Sequence, residues 1–446
     1  MNLQQKKDNS FLATEPLGKL LLKLSLPTVT AQIINMLYNI VDRIYIGHIP
    51  ENGALALTGV GVCMPLIMIV SAFAALVGNG GAPRASIFMG KGDKESAERT
   101  LGNCFTTQII VSLLLTIILF TGNRSFLMAF GASENTISYA VAYMNIYSLG
   151  TIFVQLTLGM NAFITAQGFA RTGMLSVLVG AASNIMLDPV FIFVFHMGVR
   201  GAALATIISQ ALSCAWVLSF LTGKKSYLKI RRCNMKLQKN IILPSLALGL
   251  STFIMQASES IISVCFNSSL LKYGGDLAVG AMTILTSAMQ FAMLPLQGLG
   301  QGAQPLISYN YGAAKVYRVK KTIRILIVVS LIYTMAFWLF VECFPGVFVQ
   351  LFNSSSPELY EMTTWAARIY MGMTGIFGIQ MAIQQTFMSL GQAKLSLFIA
   401  CLRKIILLLP LIYLMPMFIE NKVFAVFSRD CFGLYFGCSG FHTVFM

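Results

Sequence analysis

Ser183-Asn184-Ile185-Met186-Leu187-Asp188-Pro189-Val190-Phe191-Ile192-Phe193 places a carboxylate, an amide four residues earlier and a proline one residue later inside an otherwise lipid-like run. An ionisable group at membrane depth costs at least about 2.5–3.5 kcal/mol on insertion scales, so it faces protein or water and marks a functional position by default. Asn184 and Asp188, at i and i+4, share one helix face. Pro189 has no N–H for the carbonyl of Ile185, so a helix bend is expected there, with an oxygen left free. The segment therefore offers hard oxygen ligands where no solvent is expected.

The lipid-like character extends over the whole chain. Of 446 residues, 56% are hydrophobic and 11% charged, against about 25% charged in ordinary soluble proteins. Apolar runs of about 20 residues recur from end to end, the pattern of an all-α polytopic membrane protein. The net charge is +15, but the bases sit in alternate loops and form no separate basic domain. They speak for membrane orientation and against nucleic acid. Nine cysteines lie mostly inside apolar runs without a Cys-x-x-Cys pair, so neither a disulfide framework nor zinc is indicated. The polar start, Met1 to Ser10, leads into a long helix and reads as the approach to a retained span rather than as a signal peptide.

Eleven spans are expected in order, at about Leu20–Ile46, Ala54–Val77, Leu101–Phe120, Ile137–Thr165, Met174–Phe195, Val199–Leu221, Ile241–Leu271, Leu277–Ile307, Thr322–Phe344, Leu359–Leu390 and Leu395–Leu414. A twelfth is due after Phe427, but Ser428-Arg429-Asp430-Cys431 interrupts it; a shifted reading frame and real divergence both fit residues 428–446. Span 1 carries Gln32, Asn35, Tyr38, Asn39 and Asp42 as one polar stripe. Arg43 follows Asp42 but points about 100° away, so it is not automatically the counter-ion. Gly90-Lys91-Gly92-Asp93-Lys94-Glu95 is a solvated turn and not a Walker loop, because Ala85 stands at the first glycine position and no Ser or Thr follows Lys91. Gly223–Lys239, with seven bases, divides the chain into an N-terminal six-helix lobe (1–222), a cytoplasmic linker (223–239) and a C-terminal six-helix lobe (240–446). Span 7 carries Gln256 and Glu259, span 10 Gln380, Gln384 and Gln385, and span 11 Arg403 and Lys404.

Loop charge sets the orientation. Of 31 bases, 22 fall in loops on the N-terminal side and four (Arg124, Arg200, Lys272, Lys422) on the opposite side, which puts the N-terminus in the cytoplasm. The halves also repeat. Gly78, Gly80, Pro83 and Gly90 recur 222 positions later as Gly300, Gly302, Pro305 and Gly312, and Pro27 and Asp42 recur 217 positions later as Pro244 and Glu259. Six spans per half make the repeats parallel, about an axis along the membrane normal. Counting residues from the outer turns puts Asp188 and Thr206 roughly 12–15 Å inward and Asp42 roughly 8 Å inward at 1.5 Å per residue, so Asp42, Asn184, Asp188 and Thr206 can converge.

The chain resembles the multidrug and toxin extrusion (MATE) family, in particular its DinF-like bacterial branch. The resemblance rests on Leu26-Pro27 with Asp42-Arg43-Ile44-Tyr45-Ile46-Gly47, on Gly90-Lys91-Gly92-Asp93, on Asn184 through Phe193 and on Tyr309-Asn310-Tyr311-Gly312-Ala313. It implies twelve spans in two lobes and export of cationic or amphipathic drugs against Na⁺ or H⁺. In that branch two aspartates, an asparagine and a threonine of the N-terminal lobe hold the coupling cation; the matching residues are Asp42, Asp188, Asn184 and Thr206. Glu259 matches an acidic position that other branches use for coupling, but their aspartate in span 10 is replaced here by glutamines. The cation site is therefore expected in the first lobe, with Pro189 as helix bend. Gln32, Asn35, Tyr38, Asn39, Gln256, Glu259, Gln380, Gln384 and Arg403 are expected to line the substrate cavity.

The expected protein is thus a monomeric multi-pass exporter of the cell membrane. Its partners are small-molecule drugs and the bilayer, with no cofactor beyond the coupling ion and no metal beyond Na⁺ at those four residues. A lipid-linked precursor flippase of the same superfamily would call for a strongly cationic cavity, for which only Arg403, Lys404 and Arg368 are on hand. A membrane-embedded enzyme would need a nucleophile–base or metal pairing, whereas His48, His196 and His442 sit near span ends without partners at metal spacing. Nothing reads as a channel selectivity filter.

Overall fold

The computed structural model describes residues 11–50, 53–344, 346 and 357–428, which are nearly all helical and include no strand. A short helix α1 (Phe11–Thr14) precedes α2 (Leu17–Gly47), α3 (Gly53–Gly90), α4 (Lys94–Ala129), α5 (Ile137–Leu149), α6 (Thr151–Ala166), α7 (Ala170–Pro189) and α8 (Gly198–Thr222). The second half holds α9 (Lys239–Gly275), α10 (Leu277–Gly312), α11 (Val316–Cys343), α12 (Pro357–Tyr370), α13 (Thr374–Ser389), α14 (Ala393–Cys401) and α15 (Leu409–Phe418). Among the described residues nine helices are long and apolar enough to cross a membrane, and the α5–α6 pair, bent by 58°, makes ten. Apolar side chains such as Leu113, Leu114, Ile117 and Ile118 of α4 point outward, as a lipid-facing surface requires.

All eleven expected spans appear as helices in the expected order, with three differences. Span 2 runs on to Gly90 instead of ending near Val77. Its glycines and Pro83 are buried in the helix because small residues let neighbouring backbones approach, and this packing outweighs their poor helix propensity. Span 4 breaks at Gly150, where an added Cβ would collide with Ile207 of α8. Span 10 is interrupted between α12 and α13; with Glu358, Glu361 and Arg368 in its first piece, it is not among the ten. A short helix over 422–428 leads up to the expected twelfth span. Arg429, Asp430 and the remainder of the expected atypical tail lie outside the described residues.

Separate apolar cores fill the two halves. One pair of clusters is built around Val60, Tyr143, Phe163 and Val217, and another cluster around Phe266, Leu285, Ala366 and Phe427. A fourth cluster joins the halves, packing Leu12, Leu20, Leu21 and Leu24 against Ala303, Leu306, Ile307 and Leu326. Backbone contacts reinforce this joint. Thr28 Oγ1 donates to the carbonyl of Gly298 at 2.6 Å. A Cβ on Gly90 would lie 2.0 Å from the carbonyl oxygen of Tyr309, and one on Gly312 would lie 2.0 Å from that of Ile87. Ile87 and Tyr309 are 222 positions apart, as are Gly90 and Gly312, so this contact sits on the two-fold axis relating the halves.

The structure corrects the register of the repeat between α2 and α9. Ser25, Thr28, Asp42 and Ile46 are buried on α2, and Ser245, Leu248, Ile262 and Phe266 are buried on α9, an offset of 220 rather than 217. The inter-half contacts agree: Gly302 packs on Ser25 and Gly80 on Ser245, while Gly298 packs on Val29 and Gly249 on Leu76. Asp42 therefore corresponds to Ile262, and Glu259 corresponds to Asn39. The matching prolines and acids at 217 are a sequence coincidence.

Candidate functional site

α2 and α7 pack side by side and bring the two aspartates together. Asp42 is 6% exposed, Asn184 2% and Asp188 0%. The carboxyl groups of Asp42 and Asp188 lie against each other, placed to share a proton. Asn184 Nδ2 donates to Asp188 Oδ1 at 3.2 Å. This leaves Asp42 Oδ1, Asn184 Oδ1 and Asp188 Oδ2 buried without a hydrogen-bond partner. Three unpartnered oxygens with no buried base among them suit a hard cation or a proton. Arg43, next to Asp42 in sequence, is exposed. Beyond the site, the α-helix gives way after Pro189 to a π-helical turn, Val190–Val194, of the kind often found at functional positions.

Two tyrosines flank the acids, and a third stacks on one of them. Tyr38 is close to both aspartates and Tyr143 to Asp42, while Tyr143 and Tyr147 stack with ring centroids 6.2 Å apart. Thr206 faces the Tyr143 side chain rather than completing the carboxylate cluster. It does line, with Asn184, the cavity that leads to the cluster. That cavity holds about 1060 Å³ of empty space, counted into its open mouth. Its polar wall includes Gln32, Asn35 and Tyr38 of α2, Asn161 of α6, and Gln301 and Gln304 of α10. Gln32 Nε2 donates to Gln301 Oε1 at 3.3 Å, so the wall is closed by a contact between halves. Among the described residues no Lys or Arg lines this cavity.

The other expected cavity residues lie elsewhere. Asn39 is exposed and donates to the carbonyl of Asn35, and Gln256 is exposed on α9. Gln380, Gln384 and Arg403 line a second, much tighter pocket in the other half, together with Met255, Met381 and Lys404. Gln384 is held there by Ser396, whose hydroxyl in turn donates to Ser251. Glu259 is at the edge of this region, where its Oε2 accepts from Lys404 Nζ at 2.7 Å. The neighbouring Arg403 guanidinium sits 4.7 Å over the ring of Phe377.

A sequence model of the MatE family matches residues 27–190 and again residues 251–414. The chain belongs to the MatE family. It is similar to the multidrug export protein MepA of Staphylococcus haemolyticus (strain JCSC1435), with 26% identity over 377 residues covering 84% of this chain and 82% of that protein. Similarity to MepA of Staphylococcus aureus (strain NCTC 8325) is 24% over 411 residues, 91% of this chain and 88% of that protein. A solved structure described as the outward-facing conformation of a multidrug resistance MATE family transporter of the MOP superfamily has the same fold, with a TM-score of 0.90 at 23% identity over 97% of this chain and 96% of that one. A MOP superfamily transporter from Pyrococcus furiosus superposes with a TM-score of 0.89 at 22% identity, covering 97% and 96%.

Within the two MatE repeats, α7 and α14 begin alike. Gly168 (φ 85°) and Gly391 (φ 73°) make the turns before them, 223 positions apart. The π-helical segment Leu402–Leu408 then adds one residue to the second copy. Asn184 and Asp188 consequently correspond to Leu408 and Ile412, both buried. Tyr143, Tyr147, Asn161, Gln301 and Gln304 escaped the sequence reading. A signal was available for two of them: Tyr139, Tyr143 and Tyr147 recur every fourth residue on one face of span 4. For Gln301 it was the repeat itself, since Asn79, 222 positions earlier, also lines the cavity.

Proposed function

We propose that this MatE chain exports amphipathic and cationic drug molecules in exchange for Na⁺ or H⁺. One observation carries the reading: the buried Asp42–Asn184–Asp188 cluster, with three unpartnered oxygens, at the end of a polar-walled cavity that reaches both halves. Two carboxyl groups this close share one cation, either a proton or a metal ion, and Asn184 and Thr206 add neutral oxygens nearby. Occupancy would be felt at the α2–α7 contact and at the Pro189 bend, biasing the packing of the first half toward one state. The family match and the MepA relatives, named multidrug export proteins, support the substrate class.

The places where the halves touch support alternating access. The close contacts at Ser25, Val29, Gly80, Gly90, Gly298 and Gly312 all lie toward the N-terminal end of α2, a joint about which the halves could rock. The 22 of 31 bases in the loops on the N-terminal side support a cytoplasmic placing of that face, in keeping with a cell-membrane exporter. Rocking the lobes 1–222 and 240–446 about the linker 223–239 would then switch the side to which the cavity opens. The absence of Lys and Arg from the cavity wall favours drug export over flipping of an anionic lipid-linked precursor.

Dye efflux from vesicles under a Na⁺ gradient or a pH gradient, imposed one at a time, tests the reading. Efflux driven by one of them is the expected result, and efflux indifferent to both would contradict it. A cysteine placed in 223–239 should label only from the cytoplasmic side of intact cells.

A further inference from the structure

Each half is entered from a short segment that is clamped to the other half. The four-residue helix α1 stands before α2 of the first half, and a 3₁₀ turn, Arg232–Asn234, stands before α9 of the second. The clamps lie at matching places, since α2 and α9 begin 222 positions apart, as do α4 and α11. At the turn, Asn103 Nδ2 and Thr106 Oγ1 of α4 donate to the carbonyls of Asn234 and Met235 at 3.2 and 2.9 Å. At α1, Arg318 Nη2 of α11 donates to the carbonyls of Leu12 and Glu15 at 3.3 and 2.7 Å. Lys315 Nζ reaches the carbonyl of Ala13 at 3.1 Å, and Asn310 Nδ2 of α10 that of Leu12 at 2.9 Å. A helix end leaves such carbonyls without an intrahelical partner, and basic donors suit it.

The two clamps differ in how they are tied. The linker is fixed to the first half along its length: Gln167 Oε1 accepts from Ser226 Oγ and from the N–H groups of Tyr227 and Leu228, and Glu98 pairs with Arg231 at 3.2 Å. Among the described residues α1 is joined to the bundle only through Glu15 and Pro16, yet it touches both halves. The ring of Phe11 lies on Gly168 of the first half, where an added Cβ would be 2.5 Å from it. Leu12, fully buried, belongs to the cluster that holds Ala170 of the first half and Leu306 of the second. A helix of four residues has no stability of its own, so away from this seat α1 is unfolded.

We propose that α1 is a latch that holds the two halves together at this face and must leave its seat on Asn310 and Arg318 before they part. The inference rests on the rocking of the halves put forward above. Parting them draws the Gly168 turn away from Arg318, and α1, which spans the two, cannot keep both. Unseating it returns Leu12 to water and gives up three charge-assisted hydrogen bonds, from Arg318 and Lys315. The latch therefore adds to the glycine contacts of the joint and biases the closed arrangement. The linker clamp needs no such release, because its fixed stretch lies on the first half and the chain can turn after Gln238.

The test is the distance between spin labels on Lys91→Cys of the first half and Tyr317→Cys of the second, both exposed at this face. It is read by electron–electron double resonance on the purified full chain, with the native cysteines replaced by serine. This parent should show a main short distance and a minor longer one. Leu12→Asp puts a charge into the apolar seat and Arg318→Gln removes the cationic donor; each should raise the ratio of long to short by about tenfold or more. Leu12→Met, apolar and of similar volume, should keep the parent's distribution. A longer distance that is present in the parent but no more populated in Leu12→Asp and Arg318→Gln would overturn the latch and leave the rocking of the halves standing. One short distance in the parent and in every variant would overturn both.

Discussion

The two halves of this transporter share a backbone and differ in what they bury. Where the first half sets Asp42, Asn184 and Asp188, the second sets Ile262, Leu408 and Ile412, all buried. The charged residues of the second half stand at other positions, with Glu259 and Lys404 neutralising each other. A repeat fold needs matching shapes for its halves to close on each other, and the reciprocal contacts of Gly90 and Gly312 provide them. It does not need matching chemistry. One half is free to bury an ionisable cluster that the other replaces with apolar residues.

Removing the first-half acids should break this division most severely. Asp42→Asn and Asp188→Asn are each expected to abolish gradient-driven efflux while protein level and monodispersity are retained, because each side chain keeps its volume. Next in size is the symmetric closure. Gly90→Ala and Gly312→Ala each push a methyl group into a backbone carbonyl, and should weaken the joint by similar amounts, about 1–3 kcal/mol. Thermal unfolding of the purified variants measures this. Unequal losses would show that the halves do not close symmetrically.

The finer terms sharpen the account of the ion site. Asn184→Ala removes a neutral oxygen and the donor to Asp188, and should weaken apparent ion affinity by about 1–3 kcal/mol. Thr206→Ala should cost less, because the Thr206 hydroxyl faces Tyr143 rather than the acids. Tyr143→Phe should be the smallest, about 0.5–1.5 kcal/mol for one hydrogen bond. Titrating the coupling ion against efflux rate in vesicles ranks the three; a Thr206→Ala loss equal to that of Asn184→Ala would place Thr206 in direct contact with the ion.

The acids of the first half were legible in the sequence because an ionisable residue in an apolar run has few bland explanations. The helical class and the order of the spans were legible for the same reason, through hydropathy. Asp42 and Glu259 were harder. A shared offset of 217 tied them together, and only burial shows that Ser25, Thr28, Asp42 and Ile46 match Ser245, Leu248, Ile262 and Phe266 instead. Register in a helix pair is fixed by which face is buried, and one proline plus one acid is too sparse a pattern to reveal it. The glycines and Pro83 of α3 misled in the opposite way: their low helix propensity marks a span end, but inter-helix packing keeps them helical. Tyr143 and Tyr147 carry no charge and so resemble ordinary span residues until α5 places Tyr143 near Asp42, with Tyr147 stacked on it. The extra residue of Leu402–Leu408 has no signature in composition at all.

The central claim is that ion coupling belongs to the first half alone. It is tested most directly by gradient-driven dye efflux in vesicles, under Na⁺ and pH gradients separately, for two double variants at matched protein levels. Asp42→Asn with Asp188→Asn should lose all response to the driving gradient, while Glu259→Gln with Lys404→Met should still respond to it. A gradient response that survives the first pair of substitutions, or vanishes with the second, would contradict the account.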